Sequence, residues 1–225
     1  MDQARVSDEV NRRGYADLGL LLANSEIDAL TALYPQKDPF RSHVIMQRHG
    51  FGEGEYKYFT NPLPQQVSSL RTQLYSALAP IANEWQERLG IEMRYPKTHK
   101  EMLVRCHTEG QTRPTPLMLK YGEGDYNCLH QDLYGEHVFP MQVVILLSDA
   151  DDFAGGEFVI TEQRPRMQSR VEVIQLRKGH GVVFAVNERP KLGKRGYYRV
   201  KMRHGVSQLR SGNRLTLGII FHDAA

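Results

Sequence analysis

The second half of the chain is a succession of short strand-like segments, and this pattern constrains the fold more than any other feature of the sequence. After Pro114, about eight runs rich in β-branched and aromatic residues follow one another, separated by turns that contain Gly or Pro. The runs cover residues 117–121, 126–132, 139–147, 156–161, 170–176, 181–186, 197–207 and 214–222. Strands at this fairly even spacing, after a helical front, predict an α+β protein with a double-sheet barrel buttressed by helices.

The first 113 residues are expected to be mainly helical. A long helix is predicted after Asn61-Pro62, because apolar residues recur at steps of three and four between Val67 and Leu89. Pro80 should kink this helix without ending it. The other elements expected here are a strand over 15–22, a short helix after Ser25, a hairpin between His43 and Phe59, and a helix over 98–107. A chain of 225 residues can bury one sizeable core, so we expect a single domain over 1–225, with 1–113 as front and buttress and 114–225 as the barrel.

Positive charge is concentrated in one stretch of the sequence. Between residues 161 and 214 there are 14 Lys or Arg and 3 acidic residues, which is a local charge of +11, whereas the whole chain carries +3. Such clustering indicates either a phosphate-rich partner such as nucleic acid or a solvated basic face. The sequence leaves both alternatives open.

No segment of the chain has the character of a signal peptide or of a membrane span. The N-terminus is polar, and the longest apolar runs are far shorter than the roughly 20 residues that a membrane helix needs. Cys106 and Cys128 are the two cysteines, without a Cys-x-x-Cys motif, so neither a disulfide framework nor a thiolate zinc site is indicated. We therefore expect a cytoplasmic protein that does not enter a membrane, and the sequence gives no oligomeric state.

A His followed two residues later by an acid is a weak signal for a metal site, because composition alone produces about one such pair in a chain like this. Three occur here, and two of them, His99/Glu101 and His107/Glu109, lie in or at the end of a predicted helix, where residues two apart do not face each other. His130 and Asp132 lie in a predicted strand, whose two-residue period directs both to one side. This pair is therefore the candidate chelate.

His204 is the candidate for a third ligand. It lies in an alternating strand in which Val200, Met202 and Val206 share its face, while basic residues occupy the other face. A buried histidine there is either satisfied by hydrogen bonds or bound to a metal. Two histidines and one carboxylate on one side of a site form the triad typical of non-haem Fe(II) oxygenases. Cys128 lies two residues before His130, so it would share the strand face of His130 and Asp132, either as a further ligand or as a small buried apolar residue.

Arg214 favours the metal interpretation of His204. It begins the last predicted strand, ten residues after His204, and lies on the apolar side of that strand. A guanidinium that faces a barrel interior needs an anionic partner, because unpaired burial costs several kcal/mol. The planar fork of Arg suits a carboxylate in bidentate geometry, and Thr216 on the same face adds a hydroxyl donor. The pair indicates a dicarboxylate cosubstrate.

These residues together resemble the Fe(II)/2-oxoglutarate-dependent oxygenase superfamily, whose pattern is His-x-Asp, a distal His, and an Arg about ten residues later followed by x-Ser/Thr. Here the pattern is His130-Gln-Asp132, His204 and Arg214-Leu-Thr216. The resemblance covers roughly residues 114–223 and implies a double-stranded β-helix, or jelly roll. Tyr121-Gly-Glu-Gly, before the metal pair, and Gly-Gly-Glu-Phe, after it, are similar to the prolyl-hydroxylase-type branch.

The resemblance implies a role for each of these residues. His130, Asp132 and His204 would bind Fe(II), and 2-oxoglutarate would contact Arg214, Thr216 and Tyr121 at its distal end. Dioxygen would be the third reactant, with succinate and CO₂ as products. The residues expected on the substrate side are Gln131, Tyr134, Arg164, Arg166, Tyr198 and Arg203.

The substrate is less constrained than the chemistry. The runs 130–140 and 161–170 are similar to a bacterial family predicted to demethylate damaged nucleic acid, but Ile220 stands where AlkB-type demethylases carry a second Arg. The hypotheses are oxidation of a modified nucleobase, hydroxylation of a protein side chain such as proline, and hydroxylation of a small molecule. A non-catalytic cupin-like binding module is the alternative of another class.

Overall fold

A computed structural model describes residues 2–133 and 135–225 of the chain. Within these residues there are four α-helices: α1 Gln3–Arg13, α2 Asn24–Thr31, α3 Gln65–Arg88 and α4 His99–Thr108. The strands of the first half are β1 Tyr15–Leu20, β2 Phe40–Ile45, β3 Gly52–Glu53, β4 Glu55–Phe59, β5 Leu117–Tyr121 and β6 Tyr126–His130. Those of the second half are β7 Met141–Leu146, β8 Phe153–Gly155, β9 Phe158–Gln163, β10 Arg170–Ile174, β11 His180–Ala185, β12 Glu188–Gly193, β13 Gly196–Val206, β14 Leu209–Gly212 and β15 Arg214–Ile219.

Most of the strands form two antiparallel sheets. The larger sheet has seven strands in the order β1-β11-β7-β15-β5-β4-β2. The smaller sheet follows the order β10-β9-β13-β6-β3, with β12 paired to the first half of β13. The two sheets pack face to face, since the rings of Phe158 in β9 and Phe184 in β11 meet at 4.9 Å between centroids. This arrangement is the jelly roll that the sequence predicts.

The strand β13 shows why the sequence adopts this fold. Residues 199–204 alternate between exposed and buried, with Val200, Met202 and His204 buried and Lys201 and Arg203 exposed. A period of two requires one face against the core and the other toward solvent. The predicted inward orientation of His204 is therefore found in the structure.

The helices α1 and α3 pack against strands of the larger sheet and also contact β12, and α4 packs against α3. Along α3 the predicted apolar stripe is buried from Val67 to Trp85, and the helix continues through Pro80. In α4 the hydroxyl of Thr98 accepts from the amide of Glu101, whose carboxylate accepts from the amide of Thr98. This reciprocal capping fixes where the helix begins. No helix in the described part of the chain has both the length and the apolar character to cross a membrane.

The front of the chain contains more strand than the sequence suggests. Residues 1–113 contribute β1, β2 and β4 to the larger sheet, and β2 and β4 form the hairpin expected between His43 and Phe59. The helix α1 was not predicted, because Val6 and Val10 are its only buried residues and so few apolar positions give no visible stripe. The short strands β8, β12 and β14 were also not predicted.

A buried ionic cluster ties α1 to the smaller sheet. Arg189 is fully buried, forms an ion pair with Glu162, and donates a hydrogen bond to the carbonyl of Asn11 in the last turn of α1, at 2.8 Å. Lys191 and Arg164 also contact the Glu162 carboxylate, at 2.6 and 2.9 Å. Burial alone would raise the pKa of Glu162, but these three cations lower it to about 2.

Glu162→Gln should lower the free energy of unfolding by about 3–5 kcal/mol, because it leaves the buried Arg189 without a counter-charge. Urea unfolding at neutral pH measures this change. The matched control is Glu84→Gln, which removes the half-exposed partner of Arg88 and should cost about 0–1 kcal/mol. Equal effects of the two substitutions would contradict a stabilising role for the buried cluster.

The same cluster should also contribute to acid unfolding. Since the pKa of Glu162 is below its ordinary value of 4.5, its contribution is complete above about pH 4.5 and is lost as the pH falls toward 2. The wild-type stability should therefore fall more steeply over this range than that of Glu162→Gln.

Candidate metal and cosubstrate site

Three side chains converge on one point. His130 in β6 and His204 in β13 belong to the smaller sheet, and Asp132 lies in the loop that follows β6. The Nε2 atoms of His130 and His204 lie 3.5 and 3.3 Å from the two carboxylate oxygens of Asp132. One ligand atom from each residue lies within 4.8 Å of the others. Ligand atoms bound at about 2.1 Å on one face of an octahedral metal are about 3 Å apart, so the spacing fits a single transition-metal ion.

The backbone places His130 and leaves its metal-facing nitrogen available. His130 is the last residue of β6 and lies opposite His204 in the pairing with β13. Its Nδ1–H donates to the carbonyl of Cys128 at 2.7 Å, which leaves the lone pair on Nε2. Burial and the neighbouring His204 lower the pKa of His130, which favours the neutral ring that a metal requires.

The strand that carries the pair is shorter than predicted. Asp132 lies beyond β6, because the side chain of Gln131 donates to the carbonyl of Met202 and to Asn187, at 2.8 Å each. These bonds occupy the place where the pairing of β6 with β13 would continue. Of the two interpretations of Cys128, burial is contradicted, since Cys128 is exposed, and the group of candidate metal ligands in the described residues does not include it.

Packing fixes the ring of His204. The ring of Phe184 in the opposite sheet lies 4.7 Å away and that of Phe158 6.1 Å away, between centroids. Gly205 permits β6 to approach, since a Cβ at this position would lie 2.7 Å from the carbonyl oxygen of Asn127. The Nδ1 atom of His204 is buried and has no hydrogen-bond partner in the described residues.

A cavity of about 350 Å³ extends from the three side chains into the space between the sheets. The larger sheet contributes the residues that line its inner wall, which include Tyr56, Tyr58, Leu119, Tyr121, Gln142, Arg214 and Thr216. The exposed side chains of Phe51 and Leu129 form part of its rim. A cavity of this size accommodates a small cosubstrate together with part of a larger molecule.

Arg214 is buried in this cavity without a counter-ion. It is 2% exposed, and no carboxylate of the described residues lies within ion-pair distance of it. Its Nη1 has no hydrogen-bond partner, and burial lowers the pKa of the guanidinium to about 10. The other two buried arginines of the described chain, Arg71 and Arg189, are paired with Asp223 and Glu162. Arg214 therefore differs in lacking an acidic partner among the described residues, as a ligand-binding arginine would.

The neighbours of Arg214 complete a site for a carboxylate. Tyr121 lies opposite Arg214 in the pairing of β15 with β5, and the guanidinium carbon is 5.6 Å from the centre of its ring. The hydroxyl of Tyr121 accepts from Asn127 at 3.3 Å, so its own proton is available to an acceptor. Gly156 leaves space for the arginine, since a Cβ there would lie 3.0 Å from Arg214 Cδ.

The residues predicted on the substrate side lie in several places. Gln131 lines the cavity, whereas Arg164, Arg166, Tyr198 and Arg203 are not among its lining residues. Arg164 is bonded to Glu162, and Arg166 lies in the turn between β9 and β10. Tyr134 lies outside the described residues. Roles in substrate binding remain predictions for all six.

Three further cavity residues were not identified from the sequence. Tyr56 and Tyr58 reach the cavity through the pairing of β4 with β5, two strands about 60 residues apart along the chain. Burial and the nearby carboxylate of Asp132 raise the pKa of Tyr56, so this tyrosine lies close enough to interact with one of the candidate metal ligands. Gln142 carried a visible signal, because it is the one polar residue in the apolar run 141–147.

Comparison with known proteins gives a family match over most of the chain. A family model described as an oxygenase, catalysing oxidative methylation of damaged DNA, matches residues 54–224. An uncharacterised protein of Mycobacterium tuberculosis strain H37Rv is 52% identical over 168 residues, which is 74% of this chain and 72% of that protein. The matched region contains every residue of the candidate site.

Solved structures share the fold at low sequence identity. A prolyl-4-hydroxylase of Pseudomonas putida aligns with a TM-score of 0.55 and 14% identity over 99% of both chains. An oxidoreductase of the 2OG-Fe(II) oxygenase family from Burkholderia pseudomallei aligns with a TM-score of 0.57 and 16% identity, over 100% of this chain and 94% of that one. These likenesses show that the jelly-roll fold is common to the three proteins.

The three converging side chains should bind one divalent transition metal. Co(II) titrated into the protein is expected to give saturable visible absorption, and His204→Ala should weaken binding by more than the roughly 10- to 100-fold typical of losing an outer-shell partner. His43→Ala is the control, since His43 is half exposed and bonded to Glu55. Retention of tight binding in His204→Ala would exclude His204 as a ligand.

Proposed function

The chain belongs to the oxygenase family whose model matches residues 54–224, and on this premise we propose that it oxidises a methylated base of nucleic acid, with Fe(II) bound by His130, Asp132 and His204. The family confirms the predicted oxygenase class. The fold shared with a 2OG-Fe(II) oxygenase agrees with the predicted use of Fe(II), 2-oxoglutarate and O₂. An oxygenase oxidises a C–H bond, so the reaction on an N-methyl group would be hydroxylation followed by loss of formaldehyde.

The observation that carries this proposal is the unpaired Arg214 in the same cavity as the three ligand side chains. A buried guanidinium without a counter-ion would be costly unless a ligand supplies the negative charge. One carboxylate of 2-oxoglutarate would take the guanidinium fork and the hydroxyls of Thr216 and Tyr121. The other end of a dicarboxylate held there would face the three ligand side chains.

The donor set fits Fe(II), since two neutral imidazoles and one carboxylate on one side leave the opposite positions to other ligands. When bound with 2-oxoglutarate, Fe(II) supplies the activation of O₂, and succinate and CO₂ are released. The protein residues bind and orient. His130 is held by the Cys128 carbonyl, His204 by the ring of Phe184, and the apolar walls of the cavity exclude water.

Positive charge on the strand that carries His204 supports a nucleic-acid substrate. Because β6 ends opposite His204, the part of β13 before His204 runs past the metal-binding residues as a hairpin with β12. The exposed face of this segment, on the opposite side of the strand from His204, carries Tyr197, Arg199, Lys201 and Arg203 at every second position, and Arg199 lies 3.6 Å from Glu188. We call the three cations Arg199, Lys201 and Arg203 the basic row. Cations at a regular spacing beside an aromatic ring suit the phosphates and bases of a single strand.

The cavity itself supports a planar substrate. Tyr56 and Tyr58 form its wall on the larger sheet, with their rings 5.4 Å apart in an edge-to-face arrangement. Aromatic walls with few polar groups bind a flat ring system more readily than a flexible aliphatic side chain. A base turned out of a nucleic-acid strand has this shape.

Binding of the cosubstrate can be tested without turnover. Under anaerobic conditions Fe(II) and 2-oxoglutarate should give the visible metal-to-ligand charge-transfer band. Arg214→Met should raise the 2-oxoglutarate concentration at half saturation by roughly 10- to 150-fold, because a charge-assisted hydrogen-bonded pair contributes about 1.5–3 kcal/mol. Arg210→Met, at an exposed position of β14, should leave it unchanged. Absence of the band in the wild-type protein would refute the cosubstrate assignment.

The nucleic-acid substrate is tested by product and by salt dependence. The wild-type protein should release formaldehyde from an N-methylated single-stranded oligonucleotide. Lys201→Gln with Arg203→Gln should weaken binding and reduce the slope of log K against log salt by about 1.4, since each single-strand phosphate contact contributes about 0.7.

The control for this experiment lies in the connection between β10 and β11. Arg177→Gln with Lys178→Gln removes two cations of the basic stretch that pair with Asp17 and Asp149, and it should leave the slope unchanged. Oxygen added to a proline peptide, without formaldehyde from the oligonucleotide, would favour the protein-hydroxylase hypothesis instead.

A further inference from the structure

Gln142 occupies an unusual position in the cavity wall. Two glutamines are buried in the described chain, Gln111 and Gln142. The amide of Gln111 donates to two carbonyls and accepts from the amide of His137. Gln142 is 5% exposed, and its Nε2 is buried without any hydrogen-bond partner in the described residues. An unsatisfied buried amide costs about 1–3 kcal/mol, so its retention in a close-packed strand requires a reason.

The strand register places this amide in the part of the cavity near the metal-binding residues. Gln142 lies opposite Phe184, whose ring packs on His204, so both residues project into the space between the sheets. The next inward positions of β7 are Val144 and Leu146, and Leu146 lies opposite Thr216. Arg214 is two residues before Thr216, so it lies beside position 148, two residues beyond Leu146. Along the strand direction Gln142 and Arg214 are therefore six residues apart, which is about 20 Å.

This separation distinguishes the ligand of Gln142 from the ligand of Arg214. The distal carboxylate of the cosubstrate belongs at the Arg214 end, where the guanidinium, Tyr121 and Thr216 meet. A substrate must present its C–H bond at the end occupied by His130, Asp132 and His204. The keto-acid end of the cosubstrate would also face these three residues, so the acceptor within reach of Gln142 is either that end or the molecule that is oxidised, and the experiment below separates the two.

We propose that Gln142 is a substrate-specificity residue whose amide hydrogen-bonds to the polar edge of the base that enters the cavity. This inference rests on the proposed function, since the edge of a nucleobase is the planar donor–acceptor group that a glutamine amide recognises. Tyr56 and Tyr58 face the flat side of the same group. The amide stays unsatisfied until the substrate arrives, which makes the site select against molecules that lack an acceptor at this point.

The test is Gln142→Met, which keeps the unbranched shape and removes the amide. In anaerobic titrations of a methylated trinucleotide into the Fe(II)–2-oxoglutarate complex, the Kd should rise about 10-fold, which corresponds to the loss of one hydrogen bond. The KM for formaldehyde release should rise to the same extent. The 2-oxoglutarate concentration that gives half of the charge-transfer band should not change.

Thermal unfolding provides a readout that does not depend on turnover. Gln142→Met removes an unsatisfied group, so its Tm should equal or exceed that of the wild type, whereas Gln111→Met should lower the Tm by breaking three hydrogen bonds. Val144→Ala is the control for cavity shape. It lines the same wall and should change the Kd for the trinucleotide less than Gln142→Met does.

Three results would overturn the proposal. An unchanged Kd and KM in Gln142→Met, with an active wild type, would show that the amide does not contact substrate. A raised 2-oxoglutarate requirement with an unchanged Kd would assign the amide to the cosubstrate. If the wild-type protein forms the charge-transfer band but neither binds nor oxidises methylated trinucleotides, the proposed nucleic-acid function fails and the base is excluded as the partner of Gln142.

Discussion

The pairing of β6 with β13 is the constraint on which the site depends. It places His130 directly opposite His204 and brings both within reach of Asp132. Two rings held on adjacent strands need no further ordering when a metal binds, so little conformational entropy is lost at that step. The close approach requires Gly205, because any side chain there would collide with the backbone of β6.

The two sheets divide the chemistry between them. The smaller sheet and its loop contribute the three ligand side chains, and the larger sheet contributes Arg214, Thr216 and Tyr121. A jelly roll holds these groups on facing walls at a fixed separation, which a single sheet or a helix pair would not provide. Arg71 and Arg189 show that the chain pairs a buried arginine with an acid where the role is structural. No acid of the described residues pairs with Arg214, and this absence is therefore a property of the site and not of the composition.

The sequence revealed those features that depend on local periodicity. Alternation in β13 identified His204, and the alternation that begins at Arg214 identified the residues opposite β5. The end of β6 was not visible, because it depends on a side-chain bond from Gln131 to the carbonyl of Met202. Tyr56 was missed for a related reason, since the pairing that brings β4 beside β5 joins segments far apart in sequence. The basic row was visible as charge, but its position past the metal-binding residues follows only from strand register.

Unsatisfied donors mark both ends of the cavity. Arg214 Nη1 lies at one end and Gln142 Nε2 near the other, and each is buried in the cavity wall without a hydrogen-bond partner among the described residues. Their chemistry differs, since a guanidinium requires an anion, whereas an amide is satisfied by a neutral polar group. One end of the cavity therefore suits an anionic group and the other a neutral polar group, as expected if two different ligands bind end to end. The metal-binding residues, which the ring of Phe184 links to Gln142, would then lie where a dicarboxylate ends and a neutral, planar substrate begins.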